Sequence, residues 1–382
     1  MTDEANNAGA ASGPLGSETV NRVRAAGNVW HVGGGQLWLP SAFGLCRGVE
    51  RALDILARAV DDATGRGKHL LLLGQIIHNP WVNDYFRQRG VRVLTPGERE
   101  RLEQFIGPDD CAVIPAFGVP LPVERRLAAI GCEIVDTTCG NVRRLWAWAE
   151  RAVADGRAVL IFGRARHDET VVTKSRLAAA GGNYLVVGDL DGVDRFCDMI
   201  RAGTPADPAA AFGAAATNAQ TMAPFDRLAQ ASQTTMLYDE TMEVRRRVQA
   251  AFAERFAPVE ADRRLLFEPT VCRATQNRQS AAVELCRRGP DLAVVVGGFG
   301  SSNTRHLHEL ARQYAPAYFI ETVEAIRSHG AIESFDPSRE TARVVRDWLP
   351  QHRPLRVAVL SGASTPEVLV GDVLERLADL LG

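Results

Sequence analysis

The sequence predicts an α/β protein built from three related α/β modules. Short apolar runs alternate with amphipathic stretches along the 382 residues, which is typical of βα units around mostly parallel sheets. Three times a strand-like run ends in small or polar residues, a cysteine follows, and a helix begins at once, at Cys46, Cys139 and Cys272. The second spacing between these cysteines is longer than the first, and an insertion near Arg201 is expected to account for most of the difference. Each repeat of this pattern is therefore interpreted as one module.

Composition excludes several classes of protein. Lys and Arg number 44 against 46 Asp and Glu, so the formal charge of -2 provides no basic excess for binding DNA or RNA. No stretch approaches the ~18 consecutive apolar residues of a membrane span. The 7 cysteines are scattered and form no CxxC pair, which favours a reducing compartment over a secreted disulfide framework. The cytoplasm is the expected location.

The order of the elements gives the expected module boundaries. Residues 1–35 begin with a stretch rich in Ala, Gly and Asn that lacks the apolar core of a signal peptide, so a disordered tail is predicted. The first module covers 36–138, and its strand within 36–46 is a candidate for packing with the third module. The second covers 139–271 and includes an insertion at 201–217. The third covers 272–382 and ends in a helix.

Apolar runs and helical spacing locate individual elements within these modules. The predicted helices are Gly48–Asp62, Val142–Asp155, Asp239–Phe256 and Arg278–Arg288. The predicted strands are His69–Leu73, Val91–Leu94, Cys111–Ala116, Cys132–Val135, Ala158–Phe162, Tyr184–Val187, Leu292–Val296, Ala317–Ile320 and Val357–Leu360.

The three repeated cysteines are candidate metal ligands. Each is expected at a helix N-terminus, where the partial positive charge lowers a thiol pKa and favours the thiolate. Three soft thiolates suit zinc or an iron–sulfur cluster, and three rather than four leaves one coordination position open. The alternative is that they are buried small hydrophobic residues. That alternative is adopted for the cysteines inside apolar strands or helices, which are Cys111, Cys132, Cys197 and Cys286.

Polar residues follow several of the predicted strands and suggest a phosphate pocket. The candidates are His78, the pair His167 and Glu169, the run Ser301–Asn303, and Ser364. Glycine beside hydroxyl and amide side chains, directly after a buried strand, suits a site that surrounds phosphate with N–H and O–H donors. Each fragment alone is ordinary turn composition. Their joint occurrence at corresponding strand ends favours the pocket.

The chain resembles the 4-hydroxy-3-methylbut-2-enyl diphosphate reductase family from about Leu37 to the C-terminus. The strings that carry the resemblance are GLCRGVERA, GQIIHNPWV, AFGV, DTTCGNV, GRARHDE, SQTT, CRATQNRQ, GSSNTRHL and SGASTPE. The resemblance implies three α/β modules in a trefoil around a central [4Fe-4S] cluster bound by Cys46, Cys139 and Cys272. It also implies a small ferredoxin or flavodoxin as electron donor.

The same resemblance implies roles for the polar residues. Glu169, assisted by Thr234 and a bound water, would deliver the proton that lets the substrate hydroxyl leave as water, and the products would be isopentenyl and dimethylallyl diphosphate. The diphosphate would be bound by His78, His167, Thr235, Ser301, Ser302, Asn303 and Ser364.

Several residues depart from the family pattern near the expected pocket. Phe117 stands in AFGV where the family has a histidine, and phenylalanine cannot donate a hydrogen bond. The other departures are Gly140, Asp168, Arg273, Gln276 and Gly300. These changes leave three alternatives open: a reductase of the same fold with another hydroxylated or phosphorylated substrate, a non-catalytic iron–sulfur sensor, and a structural zinc protein.

Overall fold

The computed structural model describes residues 14–203 and 206–382 and confirms the α/β class. Its strands are β1 (Val29–Val32), β2 (Gly35–Trp38), β3 (Leu70–Leu72), β4 (Val91–Val93), β5 (Cys111–Ile114), β6 (Glu133–Asp136), β7 (Ala158–Phe162), β8 (Tyr184–Val187), β9 (Leu228–Ser232), β10 (Leu265–Phe267), β11 (Leu292–Val296), β12 (Ala317–Ile320), β13 (Ile326–Ser328), β14 (Ala331–Asp336), β15 (Thr341–Arg346) and β16 (Leu355–Ser361).

Helices connect most of these strands. They are α1 (Glu18–Ala25), α2 (Arg47–Arg66), α3 (Pro80–Gln88), α4 (Pro96–Glu100), α5 (Leu121–Ile130), α6 (Gly140–Ala154), α7 (Asp168–Ala179), α8 (Leu190–Ala202), α9 (Pro208–Phe212), α10 (Tyr238–Phe256), α11 (Pro258–Arg264), α12 (Arg273–Arg287), α13 (Ser302–Ala311) and α14 (Glu367–Leu381). None of these helices combines the length and the apolar character that crossing a bilayer requires.

Three sheets share one strand order. The first runs β4-β3-β5-β6, the second β8-β7-β9-β10, and the third β12-β11-β16-β2, with β1 added antiparallel beside β2. All the other neighbours within these sheets are parallel. The fourth position of each order holds the strand that precedes one of the three repeated cysteines. The repeat seen in the sequence is therefore a repeat of topology.

The third sheet combines both ends of the chain. Strand β2 pairs in parallel with β16, in the register Leu37 to Val357, so the strand before Cys46 lies in the sheet of the C-terminal module. The central strands β7 and β11 are buried along their whole length, which explains their continuous apolar sequences, since helices cover both faces of a parallel sheet.

The prediction of a disordered tail over 1–35 is wrong for residues 18–35. Ser17 caps helix α1, its side chain accepting from the Val20 N–H, and Val20 and Val23 are buried in the core that contains α14. Strand β1 follows directly. Composition misled here because two valines at helical spacing suffice to anchor a short helix once a core is available. Residues 1–13 lie outside the described residues.

Other elements were not predicted. The sheet β13-β14-β15 is antiparallel, and its charged, exposed β15 carries no strong apolar signal. Strand β9 has the sequence LAQAS yet is entirely buried. Its polar groups are satisfied by α10, because the Gln230 amide donates to the Thr241 carbonyl and the Thr241 hydroxyl donates to Ser232 Oγ. Tertiary hydrogen bonding, rather than strand propensity, stabilises this strand.

The chain divides into two compact units. Unit 1 contains the described residues up to Val49, together with His78–Val82 and Ala274–Gly382, and it holds the third sheet. Unit 2 contains Glu50–Ile77 and Asn83–Arg273, and it holds the first and second sheets.

Candidate active site

The three repeated cysteines each stand immediately before a helix, as predicted. Cys46 precedes α2, Cys139 is the N-cap of α6, and Cys272 precedes α12. All three are partly exposed and none is in a disulfide. The thiols are therefore partly accessible, and each lies at the start of a helix, where the backbone N–H groups carry partial positive charge.

The backbone of each of these cysteines is fixed in the same way. Each amide N–H donates to a carbonyl two residues beyond the end of the neighbouring parallel strand, in the loop after β16, β5 or β9. These loops carry residues that the sequence singled out for the substrate. The pairs are Cys46 with Ala363, Cys139 with Ala116, and Cys272 with Thr234, each 3.0 Å from N to O.

The remaining four cysteines are buried, which confirms their structural interpretation. Burial raises the pKa of each thiol, so all four are protonated at neutral pH and unsuited to binding metal. The pKa is raised to about 11 for Cys111, to about 12 for Cys197 and to about 11 for Cys286, and it is also raised for Cys132.

The structure does not by itself assemble a metal site. Within residues 14–203 and 206–382, no group of three or more His, Cys, Asp or Glu side chains is arranged to hold a metal ion. Cys46 belongs to unit 1, whereas Cys139 and Cys272 belong to unit 2. The structure shows three partly exposed thiols that could bind a metal, each with its backbone amide held by a hydrogen bond. Their shared binding of one cluster is a proposal.

Unit 1 contains polar atoms that are buried without a partner. Ser302 and Asn303, in the first turn of α13, are 3% and 2% exposed. The Ser302 hydroxyl and both amide atoms of Asn303 have no hydrogen-bond partner among the described residues. Burying a polar atom without a hydrogen-bond partner destabilises the folded protein, unless a bound ligand pairs with that atom. Donors and an acceptor gathered at a helix N-terminus suit an anionic ligand such as a phosphate group.

Neighbouring strand ends contribute the other predicted residues of unit 1. Ser301 caps α13, and the Ser364 hydroxyl lies 3.3 Å from Ser301 Oγ. The Asn79 amide donates to the Ser364 carbonyl at 3.0 Å. A Cβ at Gly298 would lie 2.2 Å from the His78 carbonyl oxygen, so glycine is required for this close approach. The structure thus brings His78, Ser301 and Ser364 together beside α13.

Unit 2 contains the predicted acid in a defined setting. Glu169 is 2% exposed. Its Oε1 accepts from the Thr234 amide at 2.7 Å and its Oε2 from the Thr234 hydroxyl at 2.6 Å. Asp168, the adjacent acid, is exposed at the start of α7. Burial and the contact with Thr234 therefore distinguish Glu169 from its neighbour.

Gln233 organises the residues around Glu169, and sequence reasoning missed it. The side chain is fully buried, and its amide donates to Thr235 Oγ1 at 2.7 Å. Its carbonyl oxygen accepts from the Arg164 N–H and from the Thr170 hydroxyl. The available signal was the unbroken polar run SQTT at the end of a buried strand. The amide group of a buried glutamine at a strand end needs hydrogen-bond partners, and a network of nearby polar groups is the main source of them.

His167 and Phe117 lie beside each other in unit 2. The His167 Nδ1 accepts from the Glu169 N–H at 3.3 Å, so the neutral ring carries its proton on Nε2 and can donate from there. The Phe117 ring meets His167 edge to face, with centroids 6.2 Å apart. Gly118 has φ +78°, and a Cβ there would lie 2.3 Å from the Trp146 ring, so this turn requires glycine.

Arg278 of unit 1 is a second residue that sequence reasoning missed. It is nearly buried on α12, and its guanidinium donates to the carbonyls of Gly44 and Leu45, directly before Cys46. The Gly44 N–H in turn donates to the Ser361 hydroxyl. The string CRATQNRQ contained this arginine, but no sequence pattern pairs it with backbone carbonyls so distant in the chain.

Replacing Arg278 with methionine is expected to loosen the segment before Cys46. Loss of charge-assisted hydrogen bonds to buried carbonyls should lower the free energy of unfolding by about 1.5–3 kcal/mol and should lower iron retention. Chemical denaturation and the rate of Cys46 alkylation in metal-free protein measure the effect. Arg287→Met, at an exposed position of the same helix, is the control. Equal alkylation rates in both variants would contradict this role.

The chain is similar to proteins of a known family over nearly its whole length. Residues 37–378 match the model of the family described as LytB protein. The chain is 34% identical to 4-hydroxy-3-methylbut-2-enyl diphosphate reductase of Thermosynechococcus vestitus, over 96% of this chain and 90% of that protein. It is also 34% identical to the reductase of the same name from a Synechococcus strain, over 97% of this chain and 92% of that protein.

Solved structures show the same fold. A structure of (E)-4-hydroxy-3-methyl-but-2-enyl diphosphate reductase, the terminal enzyme of the non-mevalonate pathway, matches with a TM-score of 0.55 at 23% identity, over 90% of this chain and 99% of that one. The E-1-hydroxy-2-methyl-but-2-enyl-4-diphosphate reductase of Plasmodium falciparum matches with a TM-score of 0.64 at 20% identity, over 89% of this chain and 86% of that one.

Proposed function

The chain belongs to the LytB protein family, and from this premise we propose that it is an iron–sulfur reductase acting on 4-hydroxy-3-methylbut-2-enyl diphosphate. The reaction removes the hydroxyl group as water, consumes two electrons and two protons, and yields isopentenyl and dimethylallyl diphosphate. The observation that carries the proposal is the set of buried, unpartnered atoms of Ser302 and Asn303. A diphosphate is the kind of ligand that satisfies them.

The cofactor is a [4Fe-4S] cluster held by Cys46, Cys139 and Cys272. When bound, such a cluster supplies electrons one at a time and one iron that is open to the substrate hydroxyl. The thiols fit this role because they are partly exposed, lie at helix starts, and have their amides fixed by strand-end carbonyls. Free thiols favour a reducing cytoplasm, where a ferredoxin or flavodoxin is the proposed electron donor.

Binding of the diphosphate supplies energy away from the bond that breaks. We expect the hydroxyl and amide groups at the start of α13 to provide neutral hydrogen-bond donors to the anion, and His167 to add its Nε2–H. Fixing the two phosphates holds the hydroxymethyl carbon in one position, which lowers the entropic part of the barrier. The residues proposed for this contact are His78, His167, Thr235, Ser301, Ser302, Asn303 and Ser364.

Glu169 is proposed as the proton donor. Hydroxide is a poor leaving group, so cleavage of the C–O bond requires protonation at oxygen. The Thr234 N–H and hydroxyl hold both Glu169 oxygens in one orientation. The Thr234 hydroxyl is both a donor and an acceptor, so it is suited to pass the proton from Glu169 through a water molecule to the substrate hydroxyl.

An anaerobic assay tests the proposal. The purified, cluster-loaded chain, supplied with a chemically reduced dye, is expected to convert 4-hydroxy-3-methylbut-2-enyl diphosphate into the two isoprenoid diphosphates. An intact, redox-active cluster without turnover of this substrate would overturn the proposal. That result would favour a reductase of the same fold with another hydroxylated or phosphorylated substrate, which the aromatic ring of Phe117 beside His167 also favours.

Phe117→His is expected to lower KM for the standard diphosphate about ten-fold, because a charge-assisted hydrogen bond is worth about 1.5–3 kcal/mol. Phe117→Leu removes the ring without adding a donor and is the control, with KM expected to stay within about two-fold of the parent. Steady-state kinetics of the three proteins measure the difference. A higher KM in the folded histidine variant would show that the ring itself contacts the substrate.

A further inference from the structure

Unit 2 has a cavity of about 730 Å³ that none of the residues proposed for substrate or cluster lines. It lies at the carboxyl ends of the adjacent parallel strands β7 and β8, the edge where ligands of α/β sheets bind. Its floor includes Gly163 and Gly188, one at the end of each strand. The volume is within the range of small-molecule sites, about 300–1,000 Å³.

Residues 211–216, from the segment identified as an insertion, form one wall of this cavity. The Lys174 ammonium donates to the Ala165 carbonyl on one side and to the Ala215 carbonyl on the other, each at 2.7 Å. The Val186 N–H donates to the Ala216 carbonyl at 2.8 Å. These contacts fix residues 215 and 216 against the free edge of β8, so the wall is part of the folded unit.

The cavity is lined by cations that lack anionic partners. Arg164, Arg166 and Arg195 line it, and none of the ion pairs among the described residues includes any of the three. The one acidic lining residue, Asp189, caps α8 and accepts from the Gly192 N–H. Other arginines of unit 2 do have carboxylate partners, as Arg201 has with Asp198 and Glu254.

We propose that this cavity binds a small molecule bearing two linked phosphate groups. Unpaired guanidinium groups bind phosphate oxygens in pairs of parallel hydrogen bonds, and glycines let a phosphate approach the backbone closely. Phe212 and Val186 add apolar surface to the lining, and the Arg195 guanidinium lies 5.6 Å from the Phe212 ring centroid. Such a surface accommodates a nucleoside attached to the phosphates. The site is independent of the proposed reductase activity.

Isothermal titration of the anaerobically purified, cluster-loaded chain with inorganic pyrophosphate and with ADP tests this proposal. The Asn303→Ala background weakens binding at the proposed active site. One binding event is expected to remain there and to weaken at least about ten-fold when Arg195→Ala or Arg166→Ala is added. Arg201→Ala, on the same helix as Arg195 but ion-paired and outside the cavity, should bind as its parent does.

The two ligands distinguish the source of the phosphates. Tighter binding of ADP would identify the ligand as a nucleotide, whereas tighter binding of pyrophosphate would identify it as a diphosphate without a nucleoside. Either result supports the site. Arg195→Ala also removes the contact with Phe212, so Arg166→Ala provides an independent measurement if the first variant melts early. Absence of binding in the Asn303→Ala background, or equal affinity in all three arginine variants, would overturn the proposal.

Discussion

Glu169→Gln is expected to lower kcat by about 10²- to 10⁴-fold, with KM changed much less. The glutamine side chain keeps the size of glutamate and one oxygen acceptor for Thr234, but it has no acidic proton to deliver. Its position is buried, so water cannot readily replace the lost acid. Anaerobic steady-state kinetics with a reduced dye as electron donor measure both constants.

Asp168→Asn is the matched control, because it makes the same chemical change at the adjacent, exposed position. Its kcat is expected to stay within a few-fold of the parent value. If the two variants lost activity equally, or if only Asp168→Asn did, the assignment of the proton donor to Glu169 would be wrong. Iron content, measured in both proteins, separates loss of the acid from loss of the cluster.

Asn303→Ala is expected to raise KM by about ten- to a hundred-fold, from the loss of about 1.5–3 kcal/mol of binding to the anionic substrate. The same substitution should cost little stability, because both amide atoms are buried without a partner in the free protein. Replacing Asn303 with alanine removes the unfavourable free energy of burying these unpaired amide atoms. Kinetics and thermal unfolding of the same preparation measure the two effects.

Asn83→Ala is the control for this pattern. Asn83 is as buried as Asn303, at 1%, but its oxygen accepts from the Ile76 N–H and its amide donates to the Ile77 carbonyl. Its replacement is expected to destabilise the fold by about 1–3 kcal/mol. If Asn303→Ala unfolded as readily as Asn83→Ala and bound substrate normally, the interpretation of Asn303 as a ligand-binding residue would fail.

The sequence predicted those parts of the fold that depend on local pattern. The cysteine that follows a strand and begins a helix was recognisable three times, because apolar runs and helix starts are encoded within a few residues. Helix α1 was missed, because its two valines can be recognised as core residues only when they pack in the core with α14, which is distant in the sequence. Strand β9 was missed because its polar residues are satisfied by a helix that follows it.

The residues of the candidate site also differ in whether the sequence alone could identify them. Ser301, Asn303 and Glu169 carry recognisable functional groups at strand ends, and motif reading found them. Arg278 and Gln233 act through backbone carbonyls and amides, which have no sequence signature. The distinction between Asp168 and Glu169 likewise depends on burial at the start of α7, which the structure shows and the sequence alone does not.

Iron and acid-labile sulfide counts on anaerobically purified protein test whether three thiols bind one cluster. About four iron and four sulfide per chain are expected for the parent and for Cys286→Ala, whose thiol is buried. Cys46→Ser, Cys139→Ser and Cys272→Ser are each expected to lose most of both. Zinc without sulfide in the parent, or a full cluster in any of the three serine variants, would contradict the assignment.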